Sequence, residues 1–451
     1  MAPRVFAAVD LGASGGRVMA GVVEGDEIRV EAVHRFPNGV AEVDGHLRWD
    51  VTALHREVAA GLERIPGAVS IGIDTWGVDY GLLDGAGALL AEPIAYRDDR
   101  TTKVVDEVHA VVPPDELYAA NGLQFLPFTT VYQLAAEQRG PRWDRAAHAV
   151  LLPDLFAYLL TGELRTEQTN ASTTGLLDVR THDWSGALLD RLGIPRDLLP
   201  RVEPPGAVRG RTASGTPVTT VGSHDTASAV VAVPATTERF AYVSSGTWSL
   251  VGLELAGPVV TEEARAANFT NELGVDGRTR FLRNVGGLWL LEECLRAWPG
   301  ADRDALLAAA AALPAGGPLV DVDDPAFITP GGMPERIAAA AGRPALTPAE
   351  TTRCIVDSLA AGYARTVHGA ADLAGAGVDV IHVVGGGSQN ALLCRLTADA
   401  AGLPVLAGPV EATALGNVAV QAWAHGAAPP SLEAIRARIA ASTPLRRYDP
   451  S

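Results

Sequence analysis

Apolar residues near the start of the chain fall into short runs that small polar residues separate. The runs cover 5–10, 17–23 and 27–36, and glycine, serine or charged side chains lie between them. Runs of this length bounded by turn residues predict β-strands joined by tight turns. A helix is expected over 51–62, because apolar residues recur there at helical spacing and Asp50 suits the N-cap.

The same pattern returns in the second half of the chain. A strand is predicted over 240–243, a tight polar turn over 244–247 and a returning strand over 248–253. Strands alternate with helices between the two copies, which is typical of an α/β protein. We therefore predict two halves of one architecture, with domains over residues 1–235 and 236–451.

A long helix is well marked in the second half. Thr347 suits its N-cap, Pro348 its first position and Glu350 a capping box. The helix is expected to end near 375–377, where glycines lie, and a strand over 378–384 follows.

Composition narrows the function class. The chain has 451 residues, of which 47% are hydrophobic and 20% charged, as in a multidomain globular protein. Lys and Arg number 36 against 53 Asp and Glu, giving a net charge of −17, and no basic cluster is present. Nucleic acid is therefore disfavoured as a partner.

Two further features bear on the compartment. The longest stretch without charged side chains, 412–432, carries Asn417, Gln421 and His425, so a buried helix is expected there and not a membrane span. Three widely spaced cysteines indicate neither disulfides nor a zinc site, and no secretory signal precedes the first strand. We expect a cytoplasmic protein.

A glycine-rich turn follows an acidic residue at the end of the first strand. Asp10 precedes Gly12-Ala13-Ser14-Gly15-Gly16-Arg17. Small residues let backbone N–H groups approach phosphate oxygens, and an arginine can clamp them with its planar fork. The alternative is a β-hairpin whose glycines merely permit positive φ.

Two similar turns lie in the second half. They are Ser244–Thr247 and Gly385–Asn390. The alternatives are a plain hairpin for the first, and for the second a strand–helix connection with Ser388 as N-cap. Three small-residue turns at equivalent strand ends favour a nucleotide site.

Acidic residues at strand ends are candidates for proton transfer and sugar binding. Asp225 is expected where a helix begins, so it is either a catalytic base or only a favourable helix-terminus charge. Asp74, Trp76 and Asp79 would suit a polyol pocket, although Trp76 would equally suit the core. The ten histidines show no metal-ligand spacing, and no hydrolase motif is present.

Together these segments resemble the FGGY family of carbohydrate kinases. The matches lie in order and span the chain from Val5 to about Trp423, and within the family they are most similar to kinases of L-rhamnulose. The matched segments are Asp10–Ser14, Gly72–Asp79, Leu123–Leu134, Ser223–Ala227, Ser244–Leu250 and Gly408–Ala412.

The resemblance implies a fold and a reaction. The fold is α/β, with two ribonuclease-H-like domains of the actin/hexokinase type flanking a catalytic cleft. The reaction is transfer of the ATP γ-phosphate to the C1 hydroxyl of L-rhamnulose with Mg²⁺, in the breakdown of rhamnose. The expected partners are the sugar and ATP, without nucleic acid or membrane, and the protein is expected as a monomer or homodimer.

The resemblance also implies roles for individual residues. Asp225 would be the base and Asp10 would serve Mg²⁺, through water. The residues expected to meet the nucleotide are Ala13, Ser14, Gly15, Gly16, Arg17, Thr247 and Gly386. The residues expected to meet the sugar are Gly77, His224, Asp225, Thr226 and Asn284, with Trp76 beside them.

The chain departs from the family pattern at two positions. Glu292 stands where the family usually has a glutamine that contacts nucleotide, and a carboxylate there would repel phosphate. Gly15 stands where many relatives have serine, which removes a hydroxyl but keeps the backbone donors.

The sequence leaves alternative functions open. The nearest alternative is the same phosphorylation reaction with L-fuculose or xylulose as the sugar. A non-catalytic sugar sensor on the same fold is disfavoured by the acidic composition. A nicotinamide-dependent dehydrogenase lacks its dinucleotide fingerprint.

Overall fold

Strands and helices alternate along the chain in the computed structural model, which describes residues 2–451. Up to residue 232 the strands are β1 (Arg4–Gly12), β2 (Gly15–Glu24), β3 (Glu27–Pro37), β4 (Val40–Val43), β5 (His46–Trp49), β6 (Ile71–Thr75), β7 (Tyr80–Leu83), β8 (His148–Leu151), β9 (Thr166–Glu167), β10 (Val202–Glu203), β11 (Val208–Arg211) and β12 (Pro217–Thr219). The helices of this part are α1 (Val51–Leu62), α2 (Val105–Val111), α3 (Pro114–Asn121), α4 (Thr130–Glu137), α5 (Leu152–Thr161), α6 (Gln168–Ala171), α7 (Gly186–Leu192) and α8 (Asp225–Val231).

The rest of the chain continues this alternation. Its strands are β13 (Phe240–Ser245), β14 (Trp248–Leu255), β15 (Thr270–Leu273), β16 (Thr279–Gly286), β17 (Val380–Val384), β18 (Val405–Ala407) and β19 (Arg446–Tyr448). Its helices are α9 (Glu262–Ala266), α10 (Trp289–Ala297), α11 (Arg303–Ala311), α12 (Met333–Ala340), α13 (Pro348–Ala374), α14 (Ala391–Ala401), α15 (Ala412–Ala424) and α16 (Leu432–Ser442).

The first large sheet has the strand order β3-β2-β1-β6-β12-β11. β2 is antiparallel to both β1 and β3, whereas β6 is parallel to β1 and to β12. Gly61 of α1 packs on Val18, and Val418 of α15 packs on Gly21. Since Val18 and Gly21 are three residues apart on β2, the two helices cover opposite faces of the sheet.

The second large sheet repeats this topology. Its order is β15-β16-β14-β13-β17-β18-β19, with β13 antiparallel to β14 and parallel to β17. The five strands β16-β14-β13-β17-β18 therefore correspond to β3-β2-β1-β6-β12. The prediction of two halves with one architecture is confirmed.

The chain divides into two compact units that are not continuous in sequence. The first contains residues up to 232 together with 254–281 and 411–442, and the second contains 233–253, 282–410 and 443–451. The division of the sequence at residue 235 stays a prediction about the domains.

Local signals in the sequence correspond to the ends of the helices. Asp50 is the N-cap of α1, and its side chain accepts a hydrogen bond from the N–H of Ala53. Thr347 and Glu350 form the capping box of α13, and the helix ends at Gly375 in the left-handed conformation. The expected helix in the charge-free stretch is α15.

Two features expected from composition can be placed. Cys294, Cys354 and Cys394 are buried free thiols. Over residues 2–451, no helix combines the length and the apolar character that crossing a membrane requires.

Candidate active site

Three neighbouring strands of the first unit bring a charged row together at the ends of β1 and β6. Asp10 on β1 lies opposite Arg17 on β2 and opposite Asp74 on β6. Directly opposite residues on neighbouring strands project from the same face of a sheet. The Arg17 guanidinium accordingly pairs with the Asp10 carboxylate, and also with the carboxylate of Glu411, which precedes α15.

Asp225 lies beside this row because α8 begins where β6 ends. The N–H of Thr75 donates to the Ser223 carbonyl over 2.9 Å, and His224 is the N-cap of α8. One carboxylate oxygen of Asp225, Oδ1, accepts hydrogen bonds from the N–H of Thr226 at 2.5 Å and from its hydroxyl at 3.1 Å. About a third of the Asp225 side chain is exposed.

The buried carboxyls of this row are electrostatically coupled. Burial raises the pKa of Asp10, while Arg17 acts in the opposite direction and Asp225 adds to the rise. The pKa of Asp74 lies well above its usual value, because the group is fully buried and close to Asp10. Asp74 Oδ2 accepts from Asn417 at 2.6 Å, whereas its buried Oδ1 has no hydrogen-bond partner among residues 2–451.

The glycine-rich turn after Asp10 is a two-residue hairpin. Gly12 pairs with Gly15, so Ala13 and Ser14 form the loop. The alternative that its glycines permit positive φ is wrong, since Gly12, Gly15 and Gly16 all lie outside that region. A side chain at Gly16 would instead come within 2.2 Å of the Phe36 ring, so close packing requires this glycine. The expected contact of 13–17 with phosphate stays a prediction.

Asp79 and Trp76 are part of the core. The Asp79 carboxylate accepts from the indole N–H groups of Trp49 and Trp76 at 2.7 and 2.9 Å, and from Gln133 at 3.0 Å. Trp76 is only 7% exposed, and its ring centroid lies 4.4 Å from that of Trp49. Asp79 and Trp76 are thus buried, as the core alternative expects, and their contact with the sugar stays a prediction.

The neighbouring residues Gly77 and Val78 form a tightly held turn. A side chain at Gly77 would lie 2.8 Å from the Thr173 hydroxyl. Val78 has φ of 67°, which is strained for a β-branched residue. The Thr173 hydroxyl accepts from the Val78 N–H at 3.1 Å and the Thr130 hydroxyl donates to its carbonyl at 2.6 Å, so both ends of the strained residue are held.

Three loops gather in the second unit at the ends of β13 and β17. The N–H groups of Leu288 and Trp289 donate to the carbonyls of Gly246 and Thr247 at 3.0 and 3.2 Å. A side chain at Gly387 would meet the Ser245 hydroxyl at 2.0 Å, so these two turns are in close contact. The structure thus brings Thr247 and the Gly385–Asn390 turn together within this unit.

Gly386 and Ser388 lie in a short 3-10 turn that precedes α14. Gly386 is exposed, and a side chain there would have open space. The prediction of Ser388 as N-cap is wrong, because the extra turn moves the start of the helix to Asn390, whose side chain accepts from the N–H of Leu393. The Ser388 hydroxyl donates to the Gly385 carbonyl instead.

Glu292 and Asn284 complete the predicted residues of this unit. Asn284 lies partly exposed on β16. Glu292 lies in the first turn of α10, where its carboxylate pairs with Arg303 of α11. The negative charge that would repel phosphate is therefore countered by a neighbouring guanidinium.

Sequence reasoning missed the polar residues that support the carboxyls. Asn417 and Gln421 are four residues apart, which places them on one face of α15, and His425, four residues further, is the C-cap of this helix. The Gln421 amide donates to the side-chain oxygen of Asn417 at 2.7 Å and to the Ala7 carbonyl at 3.0 Å. This spacing was the available signal, since three polar residues at helical spacing in a charge-free stretch indicate a buried polar contact.

Comparisons with known proteins define the class. The N-terminal domain of the FGGY family of carbohydrate kinases matches residues 5–232, and its C-terminal domain matches residues 241–425. The sheets with duplicated topology and the row of carboxyls at their strand ends thus belong to a carbohydrate kinase. The chain is a member of the FGGY family.

One curated relative is similar over the whole chain. It is a rhamnulokinase from Pectobacterium carotovorum subsp. carotovorum (strain PC1), 45% identical over 466 aligned positions that cover 100% of this chain and 94% of the relative.

Solved structures share the fold at low identity. Xylulose kinase from Lactobacillus acidophilus has a TM-score of 0.78 and 17% identity, covering 99% of this chain and 94% of that one. Gluconate kinase from the same organism has a TM-score of 0.79 and 17% identity, covering 100% and 94%. Both show the fold alone, and the predicted α/β class of the actin/hexokinase type is confirmed.

Proposed function

We propose that this carbohydrate kinase transfers the γ-phosphate of ATP to the C1 hydroxyl of L-rhamnulose, giving L-rhamnulose 1-phosphate and ADP. Support for the sugar comes from the rhamnulokinase relative, since 45% identity extends over the whole chain. The observation that supports the reaction is the placement of Asp225, whose partly exposed carboxylate lies at the start of α8, close to Asp10 and Asp74.

Asp225 would act as the base. The C1 oxygen attacks the γ-phosphorus, the bond between that phosphorus and the β–γ bridging oxygen breaks, and ADP leaves with the bonding electrons. The bond between the C1 oxygen and its hydrogen breaks, and this hydroxyl proton passes to Oδ2 of Asp225, since Oδ1 already accepts hydrogen bonds from Thr226. In phosphoryl transfer the protein mostly positions reactants and balances charge, so a carboxylate that takes the proton late suffices.

The sugar would lie against the residues around Asp225. His224 and Thr226 flank the base, and the held turn at Gly77 belongs to the same unit. Asn284 of the second unit is assigned to the sugar from the family resemblance.

The residues assigned to the nucleotide lie in turns rich in small residues. Residues 13–17 supply backbone N–H groups and the Arg17 guanidinium, and Thr247 and Gly386 lie in the loops gathered at β13 and β17. Glu292 is the doubtful member of this set, and its pairing with Arg303 makes a nearby phosphate less unfavourable.

The charge of the first unit suits a magnesium ion. Asp10, Asp74 and Asp225 lie close enough that Asp225 contributes to the raised pKa of both others, and the buried Asp74 Oδ1 has no partner. A divalent cation would relieve this repulsion, and carboxylate oxygens are the ligands that Mg²⁺ prefers. Asp10 would hold the ion through water. The ion would neutralise charge on the ATP phosphates.

A ketose panel tests the proposal. ADP release would be measured with L-rhamnulose, L-fuculose and D-xylulose, and the phosphorylated position would be determined by NMR of the product. We expect the highest kcat/KM with L-rhamnulose and phosphate at C1. Preference for another ketose would overturn the sugar assignment, and no ADP release with any sugar would favour a non-catalytic sensor.

A further inference from the structure

His224 contacts a buried ion pair that the proposed mechanism does not use. Glu272 lies on β15 and Arg280 on β16, and the nitrogen Nη2 of Arg280 lies 3.0 Å from Oε2 of Glu272. The Arg280 side chain is fully buried, and its Nε donates to the Leu273 carbonyl at 3.0 Å. A buried arginine held at two points is a rigid donor in a fixed place.

The same guanidinium reaches the imidazole of His224. Nη2 of Arg280 lies 3.1 Å from Nδ1 of His224. A guanidinium has donors and no acceptor, so Nδ1 must present its lone pair. With Nδ1 as the acceptor of this hydrogen bond, the ring N–H lies at Nε2. Oε2 of Glu272 lies 3.2 Å from the same Nδ1. Burial raises the pKa of Glu272, but Arg280 and His224 together hold it below its usual value, so this carboxylate balances the buried guanidinium.

The protonated edge of the ring faces the base. Nε2 of His224 lies 3.5 Å from Oδ1 of Asp225, the same oxygen that accepts from Thr226. The Thr226 donors and the Nε2 edge of His224 therefore lie on the Oδ1 side of this carboxylate, and Oδ2 would take the proton of the sugar hydroxyl.

We propose that Arg280 is a positioning residue, which fixes His224 as its Nε2–H tautomer and through it orients Asp225. The effect on catalysis rests on the proposed function, whereas the tautomer does not. Glu272 stabilises this arrangement in the core. Its carboxylate compensates the buried Arg280 guanidinium, which would otherwise be strongly unfavourable there.

The tautomer can be observed directly. Long-range ¹H–¹⁵N NMR spectra of the ¹⁵N-histidine-labelled protein at pH 7 distinguish the two neutral tautomers and the imidazolium, and His224→Gln assigns the signal by its loss. We expect the Nε2–H tautomer. The Nδ1–H tautomer or an imidazolium would overturn the proposal, whatever the protein phosphorylates.

Kinetics test the consequence in folded variants. The double variant Glu272→Gln/Arg280→Met removes the donor without leaving a buried charge, and Glu272→Gln alone keeps the donor as a matched control. For the double variant we expect kcat to fall by about ten- to a hundredfold with the sugar KM within a few-fold, since small misplacements of reacting groups cost this much. The control should melt at a lower temperature, because the Arg280 charge is then uncompensated, but its folded fraction should keep most of its kcat and the Nε2–H signal.

The outcomes separate the two proposals. An unchanged kcat in a folded double variant would overturn the positioning role. Absence of kinase activity in the wild type, together with an Nε2–H signal from His224, would overturn the proposed function and leave the tautomer assignment supported. Should the double variant fail to fold, the wild-type spectrum still decides the tautomer.

Discussion

At the scale of single residues, the candidate site is a balance of charges held by a few long-range contacts. Arg17 joins Asp10 to Glu411, and Asn417 holds Asp74. The contacts of Arg17 leave two interpretations of this residue. Arg17 either clamps phosphate or only keeps the two carboxylates together. Substitution of Arg17 distinguishes these two interpretations.

Arg17→Ala tests the phosphate clamp. We expect a higher KM for ATP and a lower kcat with the sugar KM nearly unchanged, because the guanidinium fork binds phosphate in two contacts. Arg17→Lys should restore activity only in part, since an ammonium offers a point charge. Steady-state kinetics with each substrate varied in turn would measure this.

Glu411→Gln is the matched control for Arg17. It removes one carboxylate from the pair and keeps the guanidinium, so the KM for ATP should stay within a few-fold of the wild type. An unchanged KM for ATP in Arg17→Ala, with a lower melting temperature, would return the residue to a purely structural role.

The sequence allowed some of these residues to be predicted and not others. Asp10 and Asp225 could be predicted because each follows a short apolar run. In the structure Asp10 lies near the end of β1, and Asp225 is the first residue of α8. Glu272 and Arg280 could not be linked to His224, because their contacts bring together positions about fifty residues apart. Such pairings depend on the tertiary fold and leave no local pattern.

At the scale of elements, local sequence signals were sufficient to predict the start of a helix where a capping residue or a periodic apolar pattern was present. The capping box at Thr347 placed the start of α13 correctly. The alternative with Ser388 as N-cap of α14 was wrong because a 3-10 turn intervenes, and such a turn has no distinct sequence pattern. Contacts between helices were not predicted. One of them, the crossing of α15 and α8, requires a small residue at Gly416.

Gly416→Ala tests the crossing of α15 and α8. A methyl group there would lie 1.8 Å from the Ser228 carbonyl oxygen, so the helices would have to move apart. We expect a loss of about 1–3 kcal/mol in the free energy of unfolding, although alanine normally favours a helix. Urea unfolding would measure it.

Gly317→Ala is the control for this substitution. Gly317 has open space around it and no positive φ, so the change should alter stability by less than about 0.5 kcal/mol. Equal stability of both variants and the wild type would contradict the close contact at Gly416.

At the scale of the whole molecule, the duplicated topology was predictable and the composition of the units was not. The two strand–turn–strand patterns at 5–23 and 240–253 predicted that the two halves share one sheet topology. The segments 254–281 and 411–442 return to the first unit from far along the chain. Nothing in their local sequence indicates which half they join, because that depends on tertiary packing.

A fragment of residues 1–235 tests this composition. Without 411–442 it lacks α15, which covers one face of the first sheet through contacts such as Val418 on Gly21. We expect no cooperative thermal unfolding by circular dichroism, because a large apolar face would be exposed. Cooperative melting of the fragment would instead support an independent domain over these residues.

The central claim is that Asp225 takes the proton of the sugar hydroxyl, and the kcat of Asp225→Asn tests it most directly. Asparagine keeps the shape and still accepts the Thr226 hydrogen bonds, but it cannot act as the base. We predict that kcat with L-rhamnulose falls by at least ~10²-fold, with the sugar KM within a few-fold and the melting temperature little changed. A variant that melts early, with residual activity in proportion to its folded fraction, would contradict the account.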